Sequence, residues 1–70
     1  MQVTVKIKFG TSKQYIESFG GNRYLVYLLS KADDPFHLEE LTALLAKQFG
    51  VSPKRVELRI DRGESKVFEV

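Results

Sequence analysis

Few side chains in this sequence have the chemistry of a catalyst. His37 is the only histidine and cysteine is absent, so nucleophilic catalysis would depend on a hydroxyl or amine with almost no base to activate it. A lone imidazole between Phe36 and Leu38 makes no triad. With Asp33 and Asp34, His37 supplies part of a metal shell, but the regular ligand spacing of a complete zinc site is missing. The two aspartates also resemble a carboxylate pair for acid and base work. Their place directly before Pro35, at a predicted helix start, is explained by capping instead. Gly20-Gly21 leads into a strand-like run and not into a helix whose amides would cradle a phosphate. The sequence therefore reads as non-enzymatic, with no catalytic residue, no cofactor, no metal ligand set and no evident small-molecule substrate.

The chemistry left is that of recognition, which depends on the elements that bring side chains onto a common face. Val3, Val5, Ile7 and Phe9 alternate with Gln2, Thr4, Lys6 and Lys8, the period of two of a half-buried strand. Gly10-Thr11-Ser12 reads as a turn, and Gln14 to Phe19 as a second, less regular strand. Gly20-Gly21-Asn22 is a hairpin signal, because glycine and asparagine tolerate the positive φ of tight turns. The third strand, Tyr24 to Leu29, is apolar on both sides, as when both faces of a sheet are covered.

One helix is predicted over residues 35 to 49. Asp33 or Asp34 caps it, Pro35 suits its first turn, and Gly50 stands where a left-handed C-terminal cap belongs. Leu38, Leu41, Leu44, Leu45 and Phe49 form its core stripe. Glu39 and Glu40 in its first turn and Lys47 in its last complement the macrodipole. Val56, Leu58 and Ile60 then alternate with Glu57, Arg59 and Asp61 in a fourth strand, Arg62-Gly63-Glu64 turns the chain, and Lys66 to Val70 form a fifth. The predicted class is α+β: two layers, a mixed sheet of four to five strands and one main helix, in the order β-β-β-α-β-β over a single domain, residues 1–70.

Composition agrees with one small folded domain. Hydrophobic residues make up 43% and charged residues 29% of the 70 residues, enough apolar matter to offset the entropy of ordering. A chain of this size hides only ~60% of its unfolded surface and builds one core. Lack of cysteine, an alternating start in place of a signal peptide, and no long apolar run together lead to the expectation of a cytoplasmic domain without a membrane partner. The net charge of +2 is too balanced to require a polyanion. Its distribution is polarised: Lys6, Lys8, Lys13, Arg23 and Lys31 precede an acidic cluster of Asp33, Asp34, Glu39 and Glu40.

Two recognition surfaces follow. Leu25, Tyr27 and Leu29 make an apolar ridge if Tyr24, Val26 and Leu28 fill the core, and such a ridge marks a protein or homo-oligomer interface unless the chain's own loops cover it. Lys6 and Lys8 on the first strand and Arg59 on the fourth would share the outward face with Tyr27, a basic and aromatic mix suited to a nucleic-acid backbone and a stacked base. Glu57 and Asp61 beside Arg59, and the ordinary look of alternating lysines on a strand, speak for a plain solvated face. The functional expectation is association with another protein or a second copy; the alternative is an RNA- or nucleic-acid-binding module.

The run from Leu45 through Phe49-Gly50-Val51-Ser52-Pro53-Lys54-Arg55-Val56-Glu57-Leu58 resembles the corresponding stretch of the YggU-like family, small α/β domains of unknown function. Gly10-Thr11-Ser12-Lys13 near Ile16 resembles that family's Pro-Gly-Ala-Lys turn, and Gly63-Glu64-Ser65-Lys66 with Val67-Phe68 a shortened form of its hairpin. The resemblance implies a mixed sheet with helices on one side. At the helix entrance Lys31-Ala32 and Pro35-Phe36-His37-Leu38 stand in place of the family's Pro-Pro and Gly-Lys-Ala-Asn, so no role tied to that loop is carried over. A ubiquitin-like β-grasp is the competing resemblance, through Met1-Gln2-Val3 and the single helix on a sheet.

Overall fold

The alternation at the start of the chain becomes strand β1 (Gln2–Lys8), in which exposed and buried residues follow each other one by one. The computed structural model describes residues 1–70. Strand β2 (Tyr15–Gly20) and strand β3 (Arg23–Tyr27) form the predicted hairpin. Gly21 at φ 59° and Asn22 at φ 58° fill its tip, the pair of positive φ values that matches a two-residue turn to the twist of the strands. Helix α1 (His37–Phe49), a 3-10 turn over Pro53–Arg55, strand β4 (Glu57–Asp61) and strand β5 (Ser65–Glu69) complete the predicted order.

The sheet is five-stranded and mixed, in the order β2-β3-β1-β5-β4. β1 and β3 run parallel, and the other neighbouring pairs run antiparallel. β1 thus lies at the centre, and its Val3, Val5 and Ile7 meet Val26, Leu28 and Phe68 beneath Leu41, Leu45 and Ala46 of α1. Of the predicted stripe, Leu44 and Phe49 pack at the margin of this core, and Ala46 takes a fully core position. The Tyr24 ring meets Phe49 edge to face at 5.4 Å.

The two helix ends differ in how far they follow expectation. Gly50 adopts φ 66°, its amide donates to the Lys47 carbonyl, and the Val51 amide donates to the Ala46 carbonyl at 3.0 Å, a Schellman closure. At the start, neither aspartate caps α1. Phe36 occupies the cap position without a side-chain hydrogen bond, because the Asp34 carboxylate accepts from the Phe36 amide at 2.9 Å and closes a turn one step earlier. Pro35 lies in that turn, and the helix begins at His37.

The fourth strand departs from simple alternation. Leu58 pairs with Phe68, but Ile60 pairs with Val67, leaving Arg59 as the extra residue of a β-bulge. The bulge moves Ile60 off the core face of Leu58 and turns Asp61 towards that face, opposite Lys66. A period of two cannot announce the change, because the insertion resets it. Lys66 is 1% exposed, and its Nζ donates to Asp61 Oδ1 at 2.5 Å.

Candidate functional site

One face of the sheet carries the helix; the other is open. Strand register decides what the open face displays. Lys6 stands beside Leu25, Lys8 beside Tyr27 and Thr4 beside Arg23 across the parallel ladder. Tyr27 in turn faces Tyr15, and Leu25 faces Glu17, across the hairpin. Lys6, Lys8 and Arg23 line a shallow depression of about 600 Å³ together with Phe19 and Leu25. Phe19 is 56% exposed. The Tyr15 and Tyr27 rings lie 6.0 Å apart, tilted, at the adjoining end of the face.

The electrostatics of the face are simple. The ion pairs of the domain join the N-terminal amine to Glu69, Arg59 to Glu57 and Lys66 to Asp61. Lys6, Lys8 and Arg23 are in none of them, so their charge is free for an external anion. The acid among their neighbours is Glu17 on β2, an edge strand.

Of the residues singled out from sequence, Lys6, Lys8, Leu25 and Tyr27 come together on this face. Leu29 lies past the end of β3, 51% exposed, with its amide donating to Glu40 Oε2 at 2.9 Å. Arg59 stands in the bulge on β4, separated from β1 by β5. Its contact with Glu57, at 3.7 Å between half-exposed side chains, contributes little to stability. Phe19 and Arg23 join the site without having been singled out. The signal for Arg23 was present, since it shares the parity of Leu25 and Tyr27; Phe19 lies where β2 loses regular register near Gly20.

Glu40 has a role beyond the macrodipole. Its carboxylate accepts from the Leu29 and Ser30 amides and from Gln14 Nε2, tying β3's exit and the loop before β2 to the helix. Burial raises its pKa, but the hydrogen bonds from Ser30, Leu29 and Gln14 outweigh that and lower it from 4.5 to about 2. A carboxyl whose pKa is lower folded than unfolded contributes stability above its unfolded value, and that stability is lost as pH falls through the folded value. Urea unfolding at neutral pH and near pH ~3 should show a loss of about 1–2 kcal/mol attributable to this group, allowing for solvent screening. Glu40→Gln should remove that part of the acid sensitivity. An unchanged pH dependence in the variant would refute the assignment.

Compared with family models, curated proteins and solved structures, the chain matches none. No helix is long and apolar enough to cross a membrane.

Proposed function

We propose that the domain binds single-stranded nucleic acid on its open sheet face, without sequence specificity. The observation that carries this reading is the grouping of three unpaired cations, Lys6, Lys8 and Arg23, around Phe19 and Leu25 in one depression. Cations at strand spacing follow a phosphate backbone, and exposed aromatic rings stack on bases of any identity. In this reading Lys6, Lys8 and Arg23 take the phosphates, while Phe19, Tyr27 and Tyr15 offer stacking platforms. The sequence resemblance at the helix exit supports kinship with YggU-like domains, which by itself carries no activity.

Fluorescence anisotropy with labelled single-stranded RNA and DNA tests the proposal. Three phosphate contacts give a slope of log affinity against log salt of about −2. Tyr27→Ala or Phe19→Ala should cost about 1–3 kcal/mol each, and Lys6→Gln with Lys8→Gln should flatten the slope. Absence of binding at low salt, or binding indifferent to these substitutions, refutes it.

A second reading, association with a protein or a second copy around Leu25 and Tyr27, is favoured by the apolar area on the same face. Tyr15 at 54%, Phe19 at 56% and Ile60 at 43% exposure add to it. Sedimentation separates the two, because apolar self-association is insensitive to salt whereas phosphate contacts weaken with it.

A further inference from the structure

A second shallow depression, of about 560 Å³, opens where the start of α1 meets the β4–β5 turn. Five of its lining side chains are polar or charged, His37, Asp61, Arg62, Glu64 and Lys66, set against Phe9 and Ala32. The charged side chains around it suit a polar group on an occupant.

The His37 ring is held in one orientation. Its Nδ1 lies 2.9 Å from the Asp34 carbonyl oxygen, which can only accept, so Nδ1 carries a hydrogen and donates it. Phe9 meets the ring edge to face at 5.2 Å. Nε2 is consequently a bare acceptor in the neutral ring and a second donor in the imidazolium. It is buried and has no hydrogen-bond partner within the protein. Lys66 poses the same question. Its ammonium has three donors, it is 1% exposed, and Asp61 is its protein acceptor. Buried polar groups left open by the protein are completed by water or by a ligand.

The charged groups facing His37 are Asp61 and Arg62 from β4 and its turn, Glu64 from the turn, and Lys66 from β5. Asp61 is engaged by Lys66 and by the Gly63 amide. The four side chains balance, so protonation of His37 tips the depression to net positive. The spare donors of Lys66, the guanidinium of Arg62 and an Nε2–H all border the same depression, where an oxyanion would find its donors.

We propose that this depression binds a small molecule through a phosphate or carboxylate group, held by Lys66, Arg62 and protonated His37, and that binding draws a proton onto Nε2 where the ring is neutral. The site is separate from the open sheet face and does not depend on the function proposed for that face.

Titration of the isotopically labelled domain with inorganic phosphate and, separately, with acetate, at constant ionic strength set by chloride, tests the assignment by NMR. Saturable shifts are expected at Ala32, Gly63 and Glu64, with the His37 Nε2 resonance moving towards the protonated form. Affinity for acetate, whose own charge is constant between pH ~6 and pH ~8, should fall across that range, because the third donor exists only in the imidazolium. His37→Gln and Arg62→Gln, neither of which removes a core side chain, should each weaken binding by about tenfold while leaving the remaining spectrum in place. Saturation by phosphate alone or by acetate alone identifies the head group, and either supports the site. Shifts that never saturate, that appear instead at Lys6, Lys8 and Arg23, that ignore both substitutions, or that are independent of pH overturn it.

Discussion

Phe68→Ala is expected to leave a large fraction of the domain unfolded at physiological temperature. Phe68 is 1% exposed and sits on β5, between the central strand and the edge, paired with Val3 on one side and Leu58 on the other. Truncating a buried phenylalanine costs about 3–5 kcal/mol through lost transfer energy and the cavity left behind. A chain of this length has about 4–10 kcal/mol of stability in total. Eleven of 70 residues are buried, so the lower part of that range applies and one large core side chain is a major share of it. Urea unfolding followed by circular dichroism measures the loss. Phe19→Ala, on the open face at 56% exposure, should stay within about 0.5 kcal/mol of the parent and serves as the control. A cost below about 1 kcal/mol for Phe68→Ala would contradict the packing described for β5.

Asp61→Asn should be the second most damaging substitution, although Asp61 itself is partly exposed. The Lys66 ammonium is buried by the core-side position of its residue, and Asp61 is its counter-charge at 2.5 Å. Removing one partner of a buried pair strands the other charge, at about 3–5 kcal/mol when both are fully enclosed. The Asp61 side chain is 43% exposed, so water relieves part of the penalty, and about 2–3 kcal/mol is expected. Lys66→Met should be far milder, neutral or slightly stabilising, because it removes the charge along with its need for a partner.

The same pair sets a pH dependence. Hydrogen bonds from Lys66 and then from the Gly63 amide hold the Asp61 carboxyl below its usual range. Its contribution is therefore present above the ordinary carboxylate range and disappears as pH falls. The gap between parent and Asp61→Asn should narrow below pH ~4. Equal losses for Asp61→Asn and Lys66→Met would show that packing, and not charge pairing, governs this corner.

Much of this architecture was legible in the chain. Val3, Val5 and Ile7 were placed in the core by alternation, because a pleated strand leaves no other face for them. Gly21-Asn22 and Gly50 were readable because the backbone at those points needs positive φ. Leu41 and Leu45 followed from helical spacing. The helix start departs from expectation, since an aspartate before a proline serves a preceding turn as readily as a cap, and local sequence does not say which amide its carboxylate will meet.

By itself the sequence determined the α+β class, the element order and part of the core, Val3, Val5, Ile7, Leu41 and Leu45, because those depend on periodicities that act within a few residues. Tertiary structure alone decided which strand sets Arg23 beside Lys6 and Lys8, that Phe19 joins them, that Arg59 stands apart, and that Lys66 meets Asp61 beside His37. Those neighbours come from strand order and from a one-residue bulge, and pairing between distant segments leaves no periodic trace in either strand.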